Sequence, residues 1–288
     1  MTRHNPVTQH NPVPHNRETR TVTVYDHPVV VHVGGDGPPL MFLHAEANTS
    51  QWSAVHDELA EHFTVYAPVH PGFGGDDLPP WLYDVHDLAF HYADLLSELG
   101  LDVPLTEGAA QVLLCGAGLG GWIALDVAVH RPDLIGALLL VGALGLRPAE
   151  PMPDLFLMAG PEALGYLAQR IDAGEVDAMT GDVDAATALW VEQATQARLM
   201  WERPYDRRLP RRVHHFRGPS TVLWGEVDRL LPVEHGRRLA QLLGAEFEVV
   251  PDSGHLVTID QPAAVAAAAR KLAARCRPAG SQSVGGKS

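Results

Sequence analysis

The stretch Val112-Leu113-Leu114-Cys115-Gly116-Ala117-Gly118-Leu119-Gly120-Gly121-Trp122-Ile123-Ala124 constrains the fold more than any other part of the chain. An apolar run short enough for a buried strand ends in a glycine cluster, and a helix-compatible segment, Trp122 to His130, begins at once. Strand, sharp turn and helix form the layout of a nucleophile elbow, where small residues flank a reactive side chain so that strand and helix can approach. Gly116 and Gly120 stand in the two outer positions of the Gly-x-nucleophile-x-Gly pattern. The middle position holds Gly118, which has no side chain. The turn is therefore expected to be the mount of a nucleophile that is missing.

The rest of the chain supplies a sheet in which such a turn can sit. Thr21–Tyr25 alternates and Val29–Val33 is β-branched, and with the Gly34-Gly35-Asp36-Gly37 punctuation they read as two early strands. Leu40–His44 is a continuous apolar run, the mark of a strand buried on both faces. A helix is expected over 51–62, a buried strand over 63–68, and an amphipathic helix from Asp84 that Gly100 stops. After the elbow come a strand over 134–143, then a mainly helical stretch over 144–216 broken by Pro151, Pro153, Pro161 and Pro204. The alternation resumes with a strand over 220–225, a helix near 233–243, a strand over 246–250 and an Ala-rich helix to about Arg275. Strands alternating with helices predict an α/β fold with a mostly parallel, doubly wound sheet. The helical insertion at 144–216 is expected to form a lid over the C-terminal edge of the sheet, where open α/β sheets bind ligands. The core is expected to span 20–143 and 217–276, between polar, disordered tails at 1–19 and 277–288.

Composition narrows the partners. Lys plus Arg number 21 against 35 Asp plus Glu, a net charge of −14, which argues against nucleic acid or an anionic membrane as the main partner. Cys115 and Cys276 make no disulfide framework, no apolar stretch nears the length of a membrane span, and the N-terminus lacks a signal peptide's apolar region. A cytoplasmic protein acting on a small-molecule substrate or ligand is expected, with a homodimer left open. His4, His10 and His15 lie in the N-terminal tail with nothing nearby to fix a metal geometry, and neither a metal nor a cofactor is expected.

Four stretches in order carry a specific resemblance: His44-Ala45-Glu46 after an early strand, the elbow at 116–120, Gly225-Glu226-Val227-Asp228 after a late strand, and Ser253-Gly254-His255 before the last helix. Over about 20–276 the chain resembles the α/β-hydrolase-fold superfamily, of the lidded, single-domain type. The resemblance implies that Asp228 is the triad acid and His255 the triad base, the acid holding the imidazole's tautomer and stabilising its cation. It implies an oxyanion hole from the backbone N–H groups of Glu46 and Leu119. His44, Trp190 and Trp201 are expected at the substrate.

Two departures from the family pattern matter. Glycine at 118 cannot form the covalent intermediate that Ser, Asp or Cys forms there. Ala45 stands where the family usually has Gly. Cys115 is expected to point into the core, while Ser50 and Ser253 lack activating neighbours. Glu46 brings a carboxylate to the pocket mouth, where it is expected to be solvated; if buried, its pKa would rise and it could act as an acid or base. A water or the substrate is expected in the space at Gly118. Phe156, Met158, Tyr166, Met200 and Tyr205 suit either an apolar pocket or packing within the insertion, and the arginine cluster 203–212 reads as a solvated face.

Three functions are compatible with these residues. The first is non-covalent chemistry assisted by His255 and Asp228 (lyase, isomerase, cyclase or water-using hydrolase) on a small apolar carbonyl compound. The second is a catalytically silent binding protein, against which the retained Asp228 and His255 count. The third is a serine ester or carbon–carbon bond hydrolase whose nucleophile was replaced by design.

Overall fold

The computed structural model describes residues 16–46, 49–102, 111–158, 160–169 and 183–276. Eight strands form one sheet: β1 Glu18–Val24, β2 His27–Gly34, β3 Pro39–Leu43, β4 Thr64–Pro68, β5 Val112–Ala117, β6 Ile135–Val141, β7 Ser220–Gly225 and β8 Glu246–Val250. Their order is β1-β2-β4-β3-β5-β6-β7-β8. β2 pairs antiparallel with both β1 and β4, and all other neighbours are parallel. The α/β class and the mostly parallel sheet expected from the sequence are both present.

β5 lies at the centre and is buried along its whole length, which is why it reads as an unbroken apolar run. Helix α1 covers Ala54–Ala60, α2 Val85–Glu98 and α3 Gly118–His130. Residues Gly118–Val129 of α3 are all buried, so this helix is apolar around its full circumference and shows no amphipathic stripe. The helix starts four residues before Trp122, because the glycine turn itself is already helical. α2 is capped by Asp84, whose side chain accepts the N–H groups of His86 and Asp87.

Between β6 and β7 lie α4 Gly160–Leu167 and α5 Val183–Leu199, with short 3₁₀ turns at Leu155–Leu157, Leu209–Arg211 and Val213–His215. α6 Val233–Leu243 stops at Gly244, which takes the left-handed conformation with φ 68°. The short α7 Val257–Asp260 leads into α8 Pro262–Arg275, with proline at its first turn.

One boundary needs correcting. Glu18 and Thr19, expected in a disordered tail, belong to β1 and pair with Val33 and His32. Their polarity misled because β1 is the sheet's edge and most of its residues face solvent. The expectations for 1–15, including His4, His10 and His15, and for 277–288 lie outside the described residues.

Candidate active site at the elbow

The elbow brings two loops together. β5 ends at Ala117, and Gly118 opens α3 with φ 50°, a left-handed conformation that costs an L-residue with a side chain about 1–2 kcal/mol. Gly120 lies directly against the end of β3, where a Cβ would overlap the carbonyl oxygens of Leu43 and His44. That close approach presses the loop His44–Glu46 onto the N-terminus of α3.

The consequence is a carboxylate at the elbow. Glu46 is buried, at 5% exposure, rather than solvated as expected, and its Oε2 accepts the Leu119 N–H at 2.9 Å. The Glu46 N–H also bonds its own carboxylate. Both N–H groups expected to form an oxyanion hole are thus engaged by one side chain. A Cβ built on Gly118 would fall inside the contact shell of Glu46 Oε2 and 2.8 Å from its carboxyl carbon. The space at Gly118 belongs to neither water nor substrate here, contrary to expectation: a carboxylate of the chain itself fills it.

His255 stands between two carboxylates. Its Nδ1 lies 2.8 Å from Asp228 Oδ2, and its Nε2 lies 2.9 Å from Glu46 Oε1. The second contact is off the line of a well-aligned hydrogen bond and acts mainly as an ion pair. Asp228 Oδ1 accepts the N–H groups of Leu230 and Leu231, both at 2.9 Å, which fixes that carboxylate in place. With an acceptor at each ring nitrogen, both nitrogens carry protons. Burial alone would lower the His255 pKa, but the charge and hydrogen bond of Asp228 and the contact with Glu46 outweigh it and raise the value to about 10. At neutral pH His255 is an imidazolium.

Glu46 shows the converse balance. Burial would raise its pKa, as expected from sequence, but the hydrogen bond and charge of His255, with the N–H groups of Leu119 and Glu46 itself, bring it below the ordinary value. It is a carboxylate, and the expectation of a raised pKa is overturned because the buried group has a cation beside it.

Beside Glu46 lies a cavity of about 30 Å³, walled by Leu155, Leu164, Leu167, Leu189, Glu192 and Gln196 among others. That is room enough for an ordered water but not for a substrate. The His255 loop is tied to the end of α4, since Leu256 N donates to Leu167 O at 2.7 Å and Gln169 N to Asp260 Oδ1 at 3.0 Å.

Three expected substrate contacts lie elsewhere. His44 is buried behind the loop: its Nδ1 donates to Ala45 O at 2.7 Å, and its Nε2 accepts the His70 N–H at 3.0 Å. Its ring stacks on His70 at 3.7 Å between centroids, while His70 Nε2 donates to His44 O and His70 Nδ1 accepts the Tyr92 hydroxyl. Burial brings the His44 pKa down to about 4, so the ring is a neutral strut for the loop that carries Glu46. Trp190 is 68% exposed and Trp201 83% exposed. On α5, Leu189, Glu192, Gln193 and Gln196 form the inward stripe, so Trp190 faces outward. Cys115 is fully buried, and burial pushes its thiol pKa up, in keeping with a core role.

Comparison with known proteins agrees with the architecture. The Alpha/beta hydrolase family model matches residues 29–268, and the chain belongs to that family. An uncharacterised protein of Mycobacterium tuberculosis is 29% identical over 272 residues, covering 84% of this chain and 76% of that one. A 2-hydroxy-6-oxo-2,4-heptadienoate hydrolase of Pseudomonas putida is 27% identical over 260 residues, covering 80% and 87% of the two chains. Among solved structures, a membrane phospholipase A described as a bacterial virulence factor superposes with a TM-score of 0.77 at 22% identity, covering 91% of this chain and 87% of its own.

Proposed function

We propose that this family member performs non-covalent acid–base chemistry on a small, largely apolar carbonyl compound, with Glu46 as the base, His255 as the acid and Asp228 as the group that orients and stabilises the imidazolium. The observation that carries this reading is the Glu46 carboxylate seated on the Leu119 N–H, 2.9 Å from His255 Nε2. It reverses the role expected of His255. A ring already protonated cannot take a proton, whereas it can give one to a substrate oxygen.

The proposed cycle balances within the site. A substrate carbonyl oxygen displaces Glu46 Oε2 from the Leu119 N–H. The freed carboxylate takes the α-proton, and His255 protonates the developing enolate oxygen. Once Glu46 has moved away, the ion pair that raises the His255 pKa is weakened, so the imidazolium becomes a stronger acid at the moment it must donate. Glu46 then gives its proton to a different substrate carbon while the enol oxygen returns its proton to His255, which gives an isomerase; departure of a β-substituent with the Glu46 proton, as the enol proton returns to His255, gives a lyase. α4 and α5 act in this reading as the lid, their inward residues supplying the pocket's apolar wall. The relatives' names support a carbonyl substrate, since the Pseudomonas putida enzyme is a hydrolase of a hydroxy-oxo-dienoate.

A second reading is a silent ligand-binding protein, favoured by the engagement of both the Leu119 and Glu46 N–H groups by the Glu46 carboxylate, which leaves neither donor for a substrate oxygen. The third, a serine hydrolase with its nucleophile simply replaced, fits poorly: a residue with a Cβ at 118 and the Glu46 carboxylate as placed exclude each other.

Deuterium exchange tests the acid–base reading. Small ketones and keto acids incubated in D₂O are followed by NMR at the α-carbon. Glu46→Gln and His255→Gln are each expected to slow exchange about 10²–10⁴-fold, the usual range for a general acid or base. Exchange that persists in both variants removes the proposed roles. A ligand held by the wild type with no exchange on any compound favours the binding reading.

A further inference from the structure

A second cavity, of about 290 Å³, shares no lining residue with the one beside Glu46. Its walls are Tyr25, Trp81, Asp87, Phe90 and His91. They come from three places: the β1–β2 turn, the loop before α2, and one stripe of α2, on which Asp87, Phe90, His91 and Asp94 follow at helical spacing. Such volume lies near the lower end of the ligand-pocket range of about 300–1,000 Å³.

Several features of this cavity go beyond packing, although Phe90 also meets the His130 ring at 5.3 Å and Asp87 accepts the Tyr83 N–H at 2.7 Å in the cap of α2. Tyr25 is 72% exposed, Phe90 56% and Trp81 38%, three large rings gathered at one surface opening. Tyr25 adopts φ 51° in a tight hairpin turn, a position where glycine, asparagine or aspartate avoids the strain of a bulky side chain. Its hydroxyl donates to Asp94 Oδ2 at 2.7 Å, which fixes the ring at the cavity wall. His91 is 1% exposed, yet neither ring nitrogen has a hydrogen-bond partner among the described residues. Burial lowers its pKa to about 4, so it is neutral. Trp81 lies over the His91 ring at 5.7 Å with an interplanar angle of 32°, which sets the second wall.

The electrostatics select the occupant. Aromatic faces carry partial negative charge, and Asp87 and Asp94 add carboxylates. Among the described residues no arginine or lysine lines the cavity; Arg131, which senses the Asp94 charge, is already paired bidentately with Asp133. An anion is repelled here. Ring walls offer a bare metal ion no ligands, but they pack against methyl groups while attracting the charge those methyls surround. We infer that Tyr25, Trp81 and Phe90, with Asp87 and His91, form a binding site for a methylated or quaternary ammonium group. Such a group occurs in free choline-like cations and in phosphatidylcholine headgroups.

Intrinsic tryptophan fluorescence and isothermal titration calorimetry on the full chain, at fixed ionic strength, test this with tetramethylammonium, choline and the neutral isostere 3,3-dimethyl-1-butanol. Flotation with phosphatidylcholine vesicles runs in parallel. Choline is expected to bind at least about tenfold more tightly than the neutral alcohol, and Trp81→Leu and Phe90→Leu each to weaken it by a similar factor while circular dichroism stays native. Tyr25→Gly is expected to raise Tm while weakening binding, because it relieves the turn and removes a wall. Choline binding without vesicle flotation identifies a soluble cation, and flotation lost in Trp81→Leu identifies a headgroup; either supports the site. Equal binding of the neutral alcohol, or binding unchanged in both Trp81→Leu and Phe90→Leu, overturns it, as does no binding by any of the probes.

Discussion

Replacing Gly118 by serine sets the elbow against the carboxylate that now fills it. Two costs arise. A side chain at φ 50° carries about 1–2 kcal/mol of left-handed strain. The new Cβ also overlaps Glu46 Oε2, so the carboxylate must leave the Leu119 N–H and His255. Removing one partner of a buried ion pair costs about 3–5 kcal/mol. A serine hydroxyl hydrogen-bonded to His255 returns about 1 kcal/mol. Gly118→Ser is thus expected to lose about 3–6 kcal/mol, a fall in Tm of about 6–24 °C at about 2–4 °C per kcal/mol. In a Glu46→Gly background the overlap is absent, and the same serine should cost only the strain of about 1–2 kcal/mol. Urea denaturation of the four proteins in the cycle measures the coupling, expected at about 2–4 kcal/mol. The double variant should also gain a p-nitrophenyl acetate burst that Glu46→Gly alone lacks, since it has both a hydroxyl beside His255 and a free Leu119 N–H. If Gly118→Ser melts within about 2 °C of wild type, or the two substitutions are additive, the carboxylate does not occupy the elbow in solution and the reasoning fails.

Stability should fall with rising pH through a defined window. His255 has its pKa raised from 6.5 to about 10 on folding, so its contribution is complete below about pH 6.5 and is lost as pH climbs through 10. Urea midpoints at pH 6, 8 and 10 should decline in the wild type more steeply than in His255→Gln; parallel curves would place the proton elsewhere. Gly120→Ala should destabilise by about 3 kcal/mol or more, because its Cβ meets backbone carbonyls that cannot step aside, and a Tm within 2 °C of wild type would contradict the close approach of α3 to β3. Trp190→Ala should change stability by less than about 0.5 kcal/mol, as expected for an exposed side chain, and leave α-carbon exchange intact. A loss of exchange there would restore Trp190 to the substrate site.

The fold was legible because its signals are local and repeated. Buried parallel strands such as Leu113–Cys115 are apolar without alternation, and helices such as α2 carry a clear apolar stripe and a capping aspartate. The pairing of Asp228 with His255 was legible from four motifs in one order. What the sequence hid depends on direction. Trp190 and Leu189 are adjacent residues, and only the helix phase against the core decides which one faces the cavity. His44 is as polar as any ligand contact, yet both of its nitrogens are taken by the backbone of its own and the neighbouring loop. The aromatic cavity at Tyr25 escaped notice because its walls lie far apart in the chain, and only the fold brings them together.

Gly118 and Glu46 are better understood as one exchange than as two departures. A glycine alone would leave His255 with Asp228 on one side and an empty site on the other, and the Leu119 N–H without an acceptor. A carboxylate alone, in front of an elbow bearing a side chain, would clash with that side chain. Together they convert a neutral histidine poised to deprotonate a hydroxyl into an imidazolium held between two carboxylates. In the proposed acid–base cycle, this conversion reverses the direction of proton flow that the fold's motif order suggests, while keeping the backbone elements that mount it. A single residue-by-residue comparison marks position 118 as a loss. The geometry assigns the compensating gain to position 46, on another loop, where the carboxylate accepts the backbone N–H of Leu119 as readily as a substrate oxyanion would.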